Sequence, residues 1–260
     1  MQSLDKNQLD AYMARIGVAD HPALSPEGLA AVQDAHRRAI PFENLDVRLG
    51  KGVSLEPEAI FEKLVAGRRG GYCFEHNGLH LRVLAAWGFR ARPLLARVWL
   101  RAEGVPPRTH QLSLVNVADG DWIADVGFGA GHAPPMKLEP GQITSADGAR
   151  HTLARDSEHG WMLLRDAVPQ YSFTENQVWH SDLIQSNYWC MSAPTSRFVR
   201  SVVVSRLVED ELVSLLDTRL TQGGNAVDLT DAGRYREVLA DIFGITLSRE
   251  NIAALRLFPT

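Results

Sequence analysis

The chain has 260 residues, of which 45% are hydrophobic and 22% charged, the balance of a globular protein that needs no disulfide or metal to hold a core. Its formal net charge of −4, from 31 acidic and 27 basic residues, argues against a general nucleic-acid binder, which carries a basic excess, but leaves room for a local anion site. Two cysteines, Cys73 and Cys190, exclude a disulfide-dense scaffold and any zinc or iron–sulfur site built from four cysteines.

The opening Met1-Gln2-Ser3-Leu4-Asp5-Lys6 lacks the basic and apolar regions of an export signal. No window approaches the apolar length of a membrane span, and the closing Arg256-Leu257-Phe258-Pro259-Thr260 carries no lipidation or retention signal. A cytoplasmic location without a membrane partner is the expectation. In that reducing setting a cysteine in an unusual context is of interest as a nucleophile rather than as a crosslink.

In chain order, Leu9, Tyr12, Met13 and Ile16 fall at helix spacing and Gly17 suits a stop. Ser25-Pro26-Glu27 reads as an N-cap, a proline at the first helical position and an acid in the first turn of a helix to about Ala39. A third helix is predicted over Glu56–Ala66, and a fourth from Cys73 to Trp87 with Leu79, Val83, Leu84 and Trp87 as its buried stripe. Past Gly88 the pattern turns to short runs rich in Val, Leu and Trp. Pro93–Leu100, His110–Val117 and Trp122–Val126 read as strands, the last two joined by a hairpin at Asp119-Gly120. Pro140–Gly160 is polar and glycine-rich and reads as a loop-heavy region, and a strand resumes over Trp161–Leu164. Asp182–Met191 reads as a connecting helix, Val199–Val208 and Glu211–Leu216 as a hairpin, and Thr230 and Ser248 as caps of two final helices, the first ending at Gly244. The order is helical, then β, then α/β.

Chemistry concentrates in Arg68-Arg69-Gly70-Gly71-Tyr72-Cys73-Phe74-Glu75-His76-Asn77. Two glycines give a tight turn and close backbone approach, and Cys73 follows where a helix starts. The unpaired N–H groups and positive dipole end there favour a thiolate, although a free cysteine is often a small buried hydrophobe. A nucleophilic cysteine needs a base and a group to orient it. Among nine histidines, His110 opens a strand, and Asp125 lies in the otherwise apolar end of the next, where it needs a hydrogen-bonding partner. A two-residue turn at Asp119-Gly120 pairs Ala118 with Asp121. That register puts His110 and Asp125 on one face but roughly four residues from direct opposition, about 13 Å along a flat strand. A bulge, a longer loop or strong twist has to close the gap.

Arg69-Gly70-Gly71-Tyr72-Cys73-Phe74-Glu75, Thr109-His110 and Asp125-Val126-Gly127-Phe128-Gly129, together with Ile40-Pro41-Phe42-Glu43-Asn44-Leu45 and Pro194-Thr195-Ser196-Arg197-Phe198, resemble the arylamine N-acetyltransferase family. The matches are spread in the family's order over about residues 9–200. The resemblance implies an α+β fold with an N-terminal helical bundle, a central antiparallel β-barrel and a C-terminal α/β lid around a cysteine-protease-like Cys-His-Asp core. The chain divides accordingly into residues 1–88 carrying the nucleophile, 89–192 carrying histidine and aspartate, and 193–260 as the lid. It further implies Cys73, His110 and Asp125 as the catalytic triad of an acetyl-CoA-dependent enzyme. By the same resemblance, such an enzyme is expected to acetylate aromatic amines and hydrazines through an acetyl-cysteine thioester, by a ping-pong mechanism.

Such acceptors suit an aromatic pocket. Tyr72 beside the nucleophile and Phe128 after Asp125 are its candidates by motif, followed by Phe42, Trp99 and Phe198. For coenzyme A, the N–H groups of Gly127, Gly129 and Gly131, with Thr109, are candidates to meet phosphates, against the alternative of an ordinary barrel turn. A dinucleotide fold is rejected because Pro134-Pro135 stops a helix where that fingerprint requires one. Glu43 and Arg69 suit a buried bidentate pair that holds the nucleophile turn.

Rival readings share parts of this pattern. Cys73, His76 and His80 share a helix face in the manner of zinc ligands, but no fourth ligand suggests itself, so no metal is expected. His76 and His80 read instead as polar positions on a half-exposed helix. A cysteine hydrolase or transglutaminase-like enzyme would use the same triad, as would an amide synthase of the same fold acting on a polyketide thioester. A binding module that kept the fold is disfavoured by the intact triad residues. The expected partners are coenzyme A and a small amine, without nucleic acid; a homodimer is compatible with the sequence.

Overall fold

The computed structural model describes residues 3–258. Met1, Gln2, Pro259 and Thr260, within the terminal segments read above for targeting signals, lie outside the described residues. Helices α1 (Lys6–Ile16), α2 (Pro26–Ala39), α3 (Leu45–Arg48), α4 (Pro57–Phe61) and α5 (Cys73–Ala86) form the first part. Strand β1 (Phe42–Glu43) lies between α2 and α3, and a π-helical turn, Glu62–Ala66, continues α4. The expected punctuation is in place. Asp5 and Gln8 make a capping box on α1, Gly17 ends it at φ 73°, and the Ser25 hydroxyl accepts from the Gly28 amide at the start of α2.

The central part is antiparallel. Its strands are β2 (Arg90–Val98), β3 (Arg108–Val117), β4 (Gly120–Ala124), β5 (Met136–Lys137), β6 (Gly141–Thr144), β7 (Arg150–Asp156), β8 (Gly160–Arg165) and β9 (Val168–Phe173). They form one eight-stranded sheet in the order β5-β4-β3-β2-β9-β8-β7-β6 that curls into a nearly closed barrel. Leu94, Leu112, Leu114, Leu153, Trp161 and Leu163 fill its interior, alternating along each strand with outward residues as a pleated sheet requires. Helix α6 (His180–Ser192) and the short α7 (Arg197–Arg200) lead to β10 (Val203–Val208), β11 (Glu211–Leu216), β12 (Arg219–Gln222) and β13 (Asn225–Asp228), followed by α8 (Ala232–Asp241) and α9 (Arg249–Ala254). Val204, Val213 and Leu215 of this second sheet bury against Tyr235, Val238, Leu239 and Phe243. Among the described residues, no helix is long and apolar enough to cross a membrane.

Expectations about the strands and about helix α5 need correction. Pro140–Gly160 holds β6 and β7 rather than only loop. Every residue of β6 is exposed at the sheet edge, and His151 takes a buried position on β7, so neither strand shows an apolar alternation. The strand predicted from Val199 starts at Val203, because Ser196 caps the helical turn α7 in front of it. Helix α5 is not half-exposed: His76, Asn77 and His80 are as buried as Leu79 and Val83. It is wedged between the bundle core on one side and strands β2 and β3 on the other.

The second sheet does not belong to the C-terminal sequence alone. Its order is β1-β10-β11-β12-β13, with Phe42 opposite Ser205 and Glu43 opposite Val204. The same two N-terminal residues also hold the nucleophile turn. Phe42 bridges Gly71, and the Glu43 amide donates to the Gly71 carbonyl at 2.7 Å. The Glu43 carboxylate is fully buried. Arg69 Nε and Nη2 both donate to its Oε1, at 3.0 and 2.6 Å, while Oε2 accepts the Leu45 amide at 2.7 Å. The pair is therefore not the two-oxygen fork expected from sequence: one carboxylate oxygen holds the arginine and the other starts α3.

Removing the cation leaves a charge buried without its counterion, a change that costs about 3–5 kcal/mol. Arg69→Ala is expected to lower the unfolding free energy by an amount in that range, read from urea denaturation. Arg69→Lys is expected to recover part of the loss, since one donor of the two remains.

Candidate active site

Cys73 is the first residue of α5, buried to 2% exposure. The turn that delivers it is built on close approach. A Cβ at Gly70 would stand 2.1 Å from the Pro41 carbonyl oxygen, so only glycine lets the two strands of backbone meet there. The positive φ in this turn belongs to Arg68, at 52°, and not to either glycine. The Glu75 carboxylate reaches back to the Tyr72 amide at 3.0 Å and so closes the first turn. The Cys73 thiol points towards the Thr109 carbonyl at 3.7 Å, which places it beside His110 on β3.

The gap between histidine and aspartate is closed by register. The hairpin pairs Val117 with Gly120 and Asn116 with Asp121, where the sequence reading paired Ala118 with Asp121. Extending the observed pairing sets His110 opposite Gly127, which leaves Asp125 about two residues from opposition on the same face. The side chains span what remains: His110 Nε2 and Asp125 Oδ2 are 2.6 Å apart. With Nε2 committed to the aspartate, Nδ1 is the nitrogen left to the Cys73 thiol, which adjoins the ring.

Asp125 is buried, and its other oxygen is also occupied. Oδ1 accepts from Asn77 Nδ2 at 3.0 Å and from the Gly127 amide at 2.9 Å. Asn77, one turn after Cys73 on α5, also donates to the Gln111 carbonyl at 2.6 Å and accepts the Val126 amide at 3.2 Å. Gln33 on α2 accepts the Asp125 amide at 2.8 Å. Arg37, buried on the same helix, donates to the carbonyls of Phe128 at 2.8 Å and Gly131 at 2.6 Å. Burial opposes every charge here, but the histidine, the asparagine and the Gly127 amide outweigh it for Asp125 and bring its carboxyl down to about 2. For His110, burial is likewise outweighed, by the Asp125 charge, the hydrogen bond to it and the Cys73 thiol, and the ring is pushed up to about 10. Asn77, Gln33 and Arg37 were not singled out from sequence. Their only signal there is a polar residue on a helix face that packing otherwise makes apolar.

Cys73 and His110 open into a cavity of about 700 Å³, and Asp125 stands behind the histidine, outside its lining. Phe42, Phe128 and Phe198 line it, as do Thr109, Gly127 and Gly129. Tyr72 and Trp99, also expected at the acceptor, do not. Tyr72 is fully buried behind the nucleophile, hydrogen-bonded to Asn187 and edge-on to Phe198 at 5.4 Å. Trp99 packs against His159 with ring centroids 4.7 Å apart and planes tilted by 41°, in a separate surface groove, and donates to Ser172 Oγ at 2.9 Å. Tyr171, unnoticed in the sequence, packs its ring 5.1 Å from both His110 and Phe128.

The glycines expected to meet phosphate are differently employed. The amides of Gly127 and Gly131 are spent on Asp125 Oδ1 and the Phe128 carbonyl, and Gly131 does not line the cavity. A Cβ at Gly127 would stand 2.8 Å from Cys73 Cα, and one at Gly129 would stand 2.6 Å from the Phe42 ring. These positions are glycine because α5 and Phe42 press against them. Cys190, without a motif in the sequence, lines the cavity and directs its thiol to the Thr109 carbonyl at 3.4 Å. Burial, with Cys73 beside it, pushes that thiol up.

The zinc reading of Cys73, His76 and His80 finds no geometry. Among the described residues, no cluster of three or more His, Cys, Asp or Glu is placed to hold a metal ion. His76 instead bonds His36 at 2.8 Å and the Pro41 carbonyl at 3.1 Å.

Known proteins resemble this chain along most of its length. A family model described as N-acetyltransferase matches residues 26–252. An arylamine N-acetyltransferase of Escherichia coli strain K12 is 34% identical over 249 residues, covering 91% of this chain and 88% of the relative. Among solved structures, the arylamine N-acetyltransferase of Salmonella typhimurium superposes with a TM-score of 0.90 at 32% identity, over 97% of this chain and 98% of that one. The Mycobacterium marinum arylamine N-acetyltransferase in complex with CoA gives a TM-score of 0.87 at 32% identity, over 95% and 98%.

Two measurements probe the geometry. Gly127→Ala is expected to cost about 1–3 kcal/mol of stability through overpacking against α5. Gly131→Ala, whose Cβ would meet nothing closer than 3.6 Å, is expected to stay within about 0.5 kcal/mol of the parent. Urea unfolding reads both. The raised His110 pKa adds a pH signature. Because the folded value of about 10 exceeds the unfolded value of about 6.5, its stabilisation is full below pH 6.5. It is lost progressively as pH rises to 10. The stability difference between the parent and His110→Gln should therefore shrink across that window; a difference that grows with pH contradicts the ion pair.

Proposed function

The chain belongs to the arylamine N-acetyltransferase family, and from that premise we propose that it transfers acetyl from acetyl-CoA to an aromatic amine or hydrazine through a thioester on Cys73. The observation that carries this reading is the linear order Cys73, His110, Asp125: the last two are hydrogen-bonded at 2.6 Å, and the first two line an aromatic cavity. The alternating use of one thiol makes the reaction ping-pong.

In the first half, His110 takes the Cys73 proton and Asp125 stabilises the imidazolium that results. The thiolate attacks the acetyl carbonyl, the bond from that carbon to the coenzyme sulfur breaks, and coenzyme A leaves as a thiol with the proton held by His110. In the second half, the amine attacks acetyl-Cys73. Its nitrogen forms the new bond to carbon, the Cys73 S–C bond breaks, and His110 accepts the proton the nitrogen releases. Acid and base are one imidazole, which suits a ring whose other nitrogen is fixed by a buried carboxylate.

Acceptor chemistry follows from protonation and shape. Aromatic amines and hydrazines are largely uncharged at neutral pH, whereas an alkylamine such as lysine, with a pKa of about 10.4, is mostly protonated. Phe42, Phe128 and Phe198 offer rings near the thiol on which a flat acceptor can pack. Thr109 contributes its carbonyl to the thiol side of the site.

The test is intact mass after exposure to acetyl-CoA. One acetyl group is expected on the parent protein, stable in buffer and discharged when an aromatic amine such as 4-methoxyaniline is added. Cys73→Ala should acquire none. Rapid discharge to free acetate without amine would indicate a hydrolase instead, and a Cys73→Ala protein that still acetylates the amine would end the thioester mechanism.

A further inference from the structure

The cavity that holds Cys73 is chemically polarised. At its buried end stand Cys73 and His110, each 2% exposed, with the phenylalanines. Three arginines, Arg101, Arg197 and Arg219, line the same cavity, and all three are exposed. Among the described residues no aspartate or glutamate lines it. This is an unusual concentration in a chain whose overall charge is −4.

The arginines come from separate places in the fold. Arg101 sits in the turn after β2 with φ 60°, Arg197 is the first residue of α7, and Arg219 opens β12. Neither Arg101 nor Arg197 makes an ion pair or side-chain hydrogen bond among the described residues. Partial burial and the neighbouring charge of Arg101 hold Arg197 below its ordinary pKa, opposed by Asp217. Arg219 pairs only with Asp228, at 3.4 Å, with both side chains largely in water, a contact worth little. Arg101 and Arg197, which make no ion pair among the described residues, repel each other, and an anion between such cations relieves that repulsion. The competing place for an anion is the Gly127–Gly131 turn, and its geometry argues against it: two of the three glycine amides are already bonded within the turn.

We propose that Arg101, Arg197 and Arg219 form the anion subsite of this enzyme, which takes the phosphate groups of the acyl donor at the open end of the cavity while the thioester reaches Cys73 at the buried end. The proposal rests on the acetyl-CoA reading above and deepens it. It assigns the recognition of phosphate to side chains rather than to the glycine turn. It also divides the donor's binding into a charged part, at the rim, and an uncharged arm, along the apolar wall. Planar guanidinium groups suit this task because they donate in pairs to phosphate oxygens.

Two donors separate this subsite from the rest of the site: acetyl-CoA, and S-acetylpantetheine, which has the same thioester and arm without phosphates. Acylation of Cys73 is followed by rapid quench and intact mass for the parent, Arg101→Ala/Arg197→Ala and Arg219→Glu proteins, with thermal unfolding as a check on folding. Loss of hydrogen bonds to a charged group typically corresponds to about tenfold or more. The double variant should therefore lose about tenfold or more in kcat/KM for acetyl-CoA, chiefly through KM, and change less than twofold for S-acetylpantetheine. Arg219→Glu should show the same selectivity, and added salt should slow the parent with acetyl-CoA only.

A parent protein acylated by both donors, with variants that keep their kcat/KM for acetyl-CoA, overturns the subsite and leaves the donor reading standing. Equal losses on both donors also overturn it, since the arginines would then act on the fold or the thioester. A parent protein acylated by neither donor overturns the donor reading itself, and the subsite with it.

Discussion

An ionised carboxylate buried at the junction of the helical bundle and the barrel is the constraint on which this molecule depends. Taking Asp125 out of water costs several kcal/mol unless its oxygens are satisfied, and no single element satisfies them. The histidine comes from β3, the asparagine from α5, an amide from the turn after β4, and the backbone of Asp125 itself is held by Gln33 on α2. Bundle and barrel are thus locked together by the group that also orients the imidazole proposed as the catalytic base. A change that separates them exposes the same carboxylate it misaligns, so stability and activity are tied at this point.

Other buried polar groups are arranged so that they do not compete with that charge. His36, His76 and His80 are held neutral by burial. The direction of their chain is set by its end: the Pro41 carbonyl only accepts, so His76 Nε2 carries the proton and Nδ1 receives one from His36 Nε2. Tyr12 then donates to His36 Nδ1 at 2.8 Å. Neutral rings beside α5 leave the Arg37 guanidinium, pulled down to about 10 by burial but still cationic, as the buried positive charge facing Asp125 from α2. The histidines that a reader of the sequence takes for surface groups or metal ligands serve as uncharged core.

Much of the site was legible because its chemistry is local or motif-bound. A cysteine after Gly-Gly at a helix start, a histidine opening a strand and an aspartate in an apolar strand end are each odd in a way that sequence displays. The roles of Tyr72 and Trp99 were not legible, because which wall of a cavity an aromatic faces depends on packing across the molecule. Adjacency to Cys73 in sequence put Tyr72 behind the thiol rather than in front of it. The hairpin shows how narrow the margin is: moving the turn by one position changes which residues oppose, without changing which face they share, so parity was readable while distance was not. Asn77, Gln33 and Arg37 each satisfy partners from elements distant in sequence, a property that no local pattern carries. Glycines 127 and 129 displayed a turn motif, yet their cause is steric pressure from α5 and Phe42.

The two-residue strand β1 has a bearing on how the chain acquires its shape. Phe42 and Glu43 emerge early in synthesis, but their partners Ser205 and Val204 follow some 160 residues later, a contact of high sequence separation and hence slow closure. Until those partners arrive, the edge of β1 and the apolar wall around Phe42 have no cover, although the helices and barrel strands that bear Cys73, His110 and Asp125 are already synthesised. The nascent enzyme therefore carries its reactive thiol before it has the far wall of its cavity. Strands β10 to β12 supply Val203, Val204, Ser205, Leu215 and Thr221 to the cavity wall, so the enclosed pocket depends on residues made well after Cys73, His110 and Asp125.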